Sequence, residues 1–375
     1  MIPFNKPPIL GTELKYIADA IERGHTAGNG SYTKRAEEAI EEICSSPYAL
    51  LTTNCTHALE LSARLLELKP GDEVIVPAYT FVSTAAAFAL SGAIPVFADV
   101  TERTLTLDTE NVKQLLSSRT RAICTVHYAG IGDQVDSLAD LARDHEIPLI
   151  EDNAHGFGAS YKGKKLGTYG ALSTLSFHET KNVSCGEGGA IAINDGFYLS
   201  RAEILREKGT DRLNFVRGIV DKYTWVDLGS SWVPSDMLAA FLLGQLENFS
   251  VIQAKRMSIW NRYHSELFEW SRLHSVKVPH VPSEAVHPAH MYFLRFQDQA
   301  TRDRFIEHMR IRGVMTVFHY QALNTSPMGK VFGGFLGQCP IAEKASQTLV
   351  RLPLFLGMTT LEIDQVVEAT LEFQP

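Results

Sequence analysis

The 375-residue chain is notable first for what it lacks. Its five cysteines, Cys44, Cys55, Cys124, Cys185 and Cys339, are odd in number and scattered, with no CxxC pair, so they suggest neither a disulfide framework nor a zinc site. A reducing, cytoplasmic compartment fits that usage. No run of Lys or Arg stands out, and the net charge is −8, which argues against a nucleic-acid partner. No long hydrophobic run is present either: the tract from Thr84 to Ala98 is broken by Ser91, Gly92 and Pro95 and is too short to span a bilayer. The opening Met-Ile-Pro-Phe-Asn-Lys-Pro-Pro has no charged segment followed by an apolar core, so it does not read as a signal peptide. Internal repeats and low-complexity stretches are absent.

What is present is the composition of an ordinary soluble globular protein, 45% hydrophobic and 21% charged. The length suggests one large domain and a smaller one. From about residue 48 to 195, apolar runs of strand length (48–52, 73–76, 94–98, 122–127, 147–151 and 172–177) alternate with helical patterns (58–66, 83–90 and 136–145). This rhythm predicts an α/β fold with a mainly parallel sheet covered on both faces. After Asn194 it fades into an irregular stretch and a helix over 235–245. A second α/β pattern follows, with helices over 251–270 and 302–312, strands over 291–296 and 314–319, and a final helix after Thr360. We place the boundary near residue 250, giving a large domain 1–250 and a small C-terminal domain 251–375. No Gly/Ser linker marks it, so rigid packing of the two is expected.

In such sheets ligands lie at the carboxyl ends of the strands. Thr53–Thr56, Pro77–Phe81, His127–Gly130, Asp152 and Lys181 would converge there. Lys181 sits in Ser176-Phe-His-Glu-Thr-Lys-Asn, ahead of the turn Gly186-Glu-Gly-Gly, and Asp152 closes the run Ile147-Pro-Leu-Ile-Glu. A lysine amine can hold pyridoxal 5'-phosphate (PLP) as a Schiff base, and a buried carboxylate can keep the pyridine nitrogen protonated. Either residue alone says little, since an aspartate at a strand end is often a helix N-cap. Asn54-Cys-Thr, between strand and helix, suits either a phosphate at a helix N-terminus or simple capping. Phe81 could stack on a flat cofactor or belong to the core. His155 and His178 could be hydrogen-bonded structural histidines or could touch substrate or cofactor. Competing phosphate motifs are poor: Gly28-Asn-Gly lacks a third glycine and a preceding strand, and Gly163-Lys-Lys lacks the remainder of a P-loop.

Taken together, these segments resemble the sugar aminotransferases of the DegT/DnrJ/EryC1/StrS family. The likeness runs nearly end to end, through Ile2-Pro-Phe, Asn54-Cys-Thr-His-Ala-Leu, Pro77-Ala-Tyr-Thr-Phe-Val-Ser-Thr, His127-Tyr-Ala-Gly, Glu151-Asp-Asn-Ala-His-Gly, Ser176-Phe-His-Glu-Thr-Lys and Gly186-Glu-Gly-Gly. The resemblance implies the PLP-dependent transferase fold type I, as in aspartate aminotransferase. It implies Lys181 as the Schiff-base lysine, Asp152 on the pyridine nitrogen, Phe81 on the ring, His155 near the ring hydroxyl, and Cys55, Thr56 and Ser176 around the phosphate. It also implies a homodimer with shared active sites. The cross-subunit phosphate ligand is often the asparagine of Gly-x-Asn-x-Arg, for which this chain has Gly229-Ser-Ser-Trp-Val, placing Ser231 at that position.

Further details resemble the branch that uses L-glutamate to convert dTDP-4-oxo-6-deoxy-D-glucose to dTDP-4-amino-4,6-dideoxy-D-galactose for enterobacterial common antigen synthesis. These are Phe177-His-Glu-Thr-Lys-Asn, Glu207-Lys-Gly-Thr, Val220-Asp-Lys-Tyr-Thr-Trp, Gly229-Ser-Ser and Phe318-His-Tyr. His178, His319, Tyr320 and Asn324 are the substrate contacts expected on this basis. The family pattern His-Tyr-x-Pro-Leu-His reads His319-Tyr-Gln-Ala-Leu-Asn here, so Asn324 replaces a histidine. Another nucleotide 3- or 4-ketosugar is the nearest alternative. The related dehydratases carry histidine where this chain has Lys181, and a non-catalytic sensor would be expected to have lost the lysine or gained a DNA-binding module.

Overall fold

The computed structural model describes residues Met1–Pro375. Seven strands form the main sheet: β1 (Tyr48–Thr52), β2 (Glu73–Pro77), β3 (Ile94–Ala98), β4 (Thr120–Val126), β5 (Leu149–Asp152), β6 (Leu172–Ser176) and β7 (Gly189–Ile193). Their order is β1-β7-β6-β5-β4-β2-β3. The stretch from β6 to β3 is parallel throughout, while β7 runs antiparallel to both β1 and β6. Residues of β2, β5, β6 and β7 are all buried, as expected where helices cover both faces of a sheet.

One face is closed by helices Cys55–Leu65 and Ser83–Leu90, whose Leu59, Leu61 and Phe88 join the largest core cluster. Helix Val135–Asp144 packs Leu138 and Leu141 elsewhere, with Ile75 and Ile123. Sequence reading missed two N-terminal helices, Thr12–Glu22 and Ser31–Cys44, which pack on helix Asp236–Leu246. Their mean hydropathy is low, and only a few positions of each are buried.

The chain then bends by 59° into the 25-residue helix Phe249–Leu273. A three-stranded antiparallel sheet follows, from β8 (Tyr292–Arg295), β9 (Val317–Phe318) and the central β10 (Leu349–Leu352). Only two residues of the expected strand 314–319 pair as strand, because Val314 bridges Ile2 instead and Tyr320 turns away at φ 46°. Helices Phe249–Leu273, Gln299–Ile311 and Thr360–Leu371 cover this sheet over a separate 24-residue core. The last helix begins with a capping box between Thr359 and Glu362. Ile2 belongs to that C-terminal core, so the first residues cross from one part of the molecule to the other. No single helix is long and apolar enough to cross a membrane.

Candidate active site

A cavity of about 1490 Å³ opens at the carboxyl ends of the parallel strands. Its walls come from both the main sheet and the C-terminal sheet, and Lys181, Asp152, His155, Phe81, Cys55 and Thr56 all line it. So do Ser176, His178, His319 and Tyr320. Ten positions from distant stretches of the sequence thus meet in one space.

Asp152 ends β5 and is 5% exposed. Its Oδ2 accepts from the Thr84 hydroxyl at 2.7 Å and its Oδ1 from the Ala154 amide at 3.3 Å. Burial pushes its carboxyl above the ordinary value, partly offset by the Thr84 and Ala154 donors and then by the charge of Lys181. Next to it, Glu151 lies in a separate polar nest, accepting from His127 and from the Gly167 and Gly170 amides, each at 2.7 Å.

Lys181 follows β6 in a loop closed by backbone bonds from Phe177 to Gly188 and from Glu179 to Gly186. Its side chain keeps some surface by lining the cavity, yet it is deep enough that desolvation lowers its pKa from 10.5 to about 8, with Cys55 and Asp152 opposing that shift. An amine with that value is roughly one-tenth neutral at pH 7, far more than an ordinary lysine, and can act as a nucleophile.

Asn54 caps helix Cys55–Leu65, its Oδ1 accepting from the His57 amide at 2.8 Å. The capping reading is therefore right for Asn54, and it leaves Cys55 and Thr56 in the first turn at the cavity, where amides have no intrahelical partner. Thr56 Oγ1 lies 2.8 Å from Ser83 Oγ. The first residue of β7 brings backbone against this helix start: a Cβ on Gly189 would lie 2.3 Å from the Asn54 carbonyl carbon and 2.5 Å from the Cys55 nitrogen. Glycine is required there for the close approach.

His155 is 5% exposed and stacks on His290 with centroids 4.4 Å apart. Its Nε2 is 3.2 Å from the Tyr320 hydroxyl, while its Nδ1 is buried without a partner. Desolvation, followed by the nearby charges of Lys181 and Arg351, holds it well below the usual histidine range, so it is neutral. His319 Nδ1 meets the Tyr128 hydroxyl at 2.8 Å. His178, at the rim, pairs Nδ1 with the Thr180 hydroxyl at 2.9 Å. Phe81 is 55% exposed on the cavity wall, 6.1 Å from the Tyr320 ring.

Two expected residues lie elsewhere. Asn324 is fully buried, and its Nδ2 donates to the Phe335 carbonyl (2.9 Å) and the Glu343 carboxylate (2.7 Å). The short 3-10 turn Leu323–Thr325 carries it beneath the cavity wall, so it does not line the cavity where a substrate contact was expected. Ser231 is exposed, outside this chain's cavity, in a backbone bridge with Glu207.

Sequence reading also missed Thr84, Asn182, Arg256, His290 and Arg351. Thr84 lies one helical turn beyond Thr80, and its value depends on β5 lying beside it. Arg351 did carry a signal, as a lone charge within Leu349-Val-Arg-Leu-Pro-Leu.

These side chains fit PLP: a deep amine, a buried carboxylate supported by donors, an aromatic wall, a helix N-terminus and a buried orphan nitrogen on His155. Comparison with known proteins agrees. A protein of Methanocaldococcus jannaschii, MJ1066, is 30% identical over 98% of this chain and 96% of its own. The aminotransferase TlmJ from Streptoalloteichus hindustanus superimposes with a TM-score of 0.90 at 28% identity, covering 99% of this chain and 98% of its own. Spr1654 from Streptococcus pneumoniae, in its PMP form, gives 0.91 at 26% identity over 99% of both chains, and a PLP form is also known. The model of the DegT/DnrJ/EryC1/StrS aminotransferase family matches residues 8–371, and the chain belongs to that family.

Proposed function

We propose that the protein is a PLP-dependent transaminase of a nucleotide-linked ketosugar, converting dTDP-4-oxo-6-deoxy-D-glucose and L-glutamate to dTDP-4-amino-4,6-dideoxy-D-galactose and 2-oxoglutarate. The observation that carries the reading is the pairing of a deep, pKa-lowered Lys181 with a buried, hydrogen-bonded Asp152 in one cavity. Bound PLP supplies an electron sink conjugated to the carbon that exchanges nitrogen.

The chain's residues divide the remaining work. Lys181 holds the cofactor at rest and, once freed, takes the α-proton from glutamate at Nζ. In the opposite half-reaction the same Nζ delivers a proton to the sugar carbon. Asp152 holds positive charge at the pyridine nitrogen, and that cationic partner offsets the cost of burying its carboxylate. Thr84 fixes the carboxylate's direction. Cys55, Thr56 and Ser176 take the phosphate, with the helix dipole behind them. His155, being neutral, serves the ring hydroxyl as a hydrogen-bond partner and adds no charge. His319, Tyr320 and His178 surround the sugar.

The segment 212–231 exposes Phe215, Ile219, Trp225 and Leu228, each at least 44% accessible. Such an apolar surface suits a second copy of the chain, which would bring Ser231 to the neighbouring phosphate.

Incubating the cofactor-loaded enzyme with L-glutamate and a panel of nucleotide 3- and 4-ketosugars, with NMR assignment of the amino sugar, tests the reading. Formation of the 4-amino galacto product is expected, and Lys181→Ala should abolish both the product and the covalent Schiff-base link to the cofactor. Turnover by Lys181→Ala would sink the proposal.

A further inference from the structure

We infer that a second cleft, walled by helix Phe249–Leu273 and the segment 278–287, is a binding site for a small aromatic carboxylate. Its volume is about 410 Å³, within the range of small-molecule sites, and it shares no lining residue with the catalytic cavity. The segment 287–290 borders both spaces, with His287 on the cleft and His290 on the cavity. None of the residues given a part in transamination lies in the cleft.

One wall is a stripe of rings. Trp260, His264 and Phe268 recur every fourth residue along the helix and therefore share a face. The Trp260 and His264 rings stack with centroids 4.8 Å apart, and Phe268 lies 5.9 Å from His264. The segment 278–281 supplies the other wall, where Val278 and Val281 pack against the C-terminal core. Rings on one side and aliphatic groups on the other favour an aromatic ring between them.

The polar groups define what that ring carries. His287 Nδ1 accepts from the Ala289 amide at 3.2 Å, and burial followed by the nearby His264 lowers its pKa to about 4. The ring is therefore neutral, with its proton on Nε2, which has no partner in the chain. His280 Nε2 lies 2.5 Å from Arg103 Nη2. A guanidinium can only donate, so His280 accepts there and keeps its own proton on Nδ1, again without a partner.

The cleft thus offers two imidazole N–H donors, with the charge of Arg103 behind one of them. A cation finds no lone pair on either ring, since both are already engaged. No Asp or Glu lines the space. Asp133 does act on His280, but less strongly than Arg103, and its Oδ2 accepts from the Thr104 hydroxyl at 2.8 Å. An anion with two acceptor oxygens suits these donors, and the walls select one attached to a ring.

Calorimetric titration of the cofactor-loaded enzyme with benzoate, benzamide and cyclohexanecarboxylate separates the charge from the ring. Benzoate should bind most tightly. His280→Ala and His287→Ala should each weaken benzoate by about 10-fold, the scale for a hydrogen bond to a charged group. Arg103→Gln should reduce the preference for benzoate over benzamide, and Phe268→Ala the preference for benzoate over cyclohexanecarboxylate.

His287 is buried, so its variant is read beside its thermal midpoint, whereas Arg103 and Phe268 are exposed and their variants leave the core intact. Absence of benzoate binding at millimolar concentration would overturn the inference, as would equal binding of the three probes. Displacement of benzoate by L-glutamate, with unchanged affinity in every cleft variant, would place the probe in the catalytic cavity and also overturn it.

Discussion

Asn182 Oδ1 lies 3.0 Å from His290 Nδ1, joining the residue beside the candidate catalytic lysine to the histidine stacked on His155. Asn182 Nδ2 also donates to the Pro288 carbonyl at 2.7 Å, which fixes Oδ1 as the acceptor and puts the His290 proton on Nδ1. One buried side chain therefore ties the lysine loop to the segment leading into β8.

Asn182→Ala should cost about 1–3 kcal/mol of stability, because it leaves a buried N–H and a buried carbonyl without partners. Urea unfolding of the cofactor-free protein measures this. The same variant should slow both half-reactions, since the Lys181 loop and the His155–His290 stack lose their common support. A stable variant with wild-type turnover would show that the tie is dispensable.

Lys181 provides a pH signature. Its folded-state pKa of about 8 is below the unfolded value of 10.5, so below pH 8 both states are protonated and the folded state bears the full cost of a buried charge. As pH rises from 8 towards 10.5 only the unfolded state still holds the proton, and the cost disappears. Cofactor-free Lys181→Met should therefore exceed wild type by a margin on the order of 3 kcal/mol near pH 7, and the margin should vanish above about pH 10. Paired urea melts at the two pH values read the difference. A margin independent of pH would show that packing, not charge, separates the two proteins.

Asn324→Ala separates the two roles considered for that position. Loss of its bonds to Phe335 and Glu343 should lower stability by about 1–3 kcal/mol. The KM for the nucleotide ketosugar should be unchanged. A selective rise in KM with intact stability would return Asn324 to the substrate.

The sequence by itself determined the succession of strands and helices along the main sheet's part of the chain, because apolar runs closed by Asp152, Pro77 and the 53–56 segment state both strand and strand end. It also determined the chemistry available: Lys181, Asp152, His155, Phe81, Cys55, Thr56 and Ser176 are legible as residue types at strand ends, and a parallel sheet gathers such ends at one edge. The tertiary structure decided what depends on partners far along the chain. Thr84 supports Asp152 across 68 residues and His290 meets Asn182 across 108, and neither pairing leaves a local pattern. The same holds in the opposite sense for Asn324, whose motif position pointed to the sugar while one short turn carried it under the wall. Arg351 was visible as an odd charge in an apolar strand, but its lack of a counter-ion is a property of the packed state, where burial and the absence of any neighbouring carboxylate first become defined.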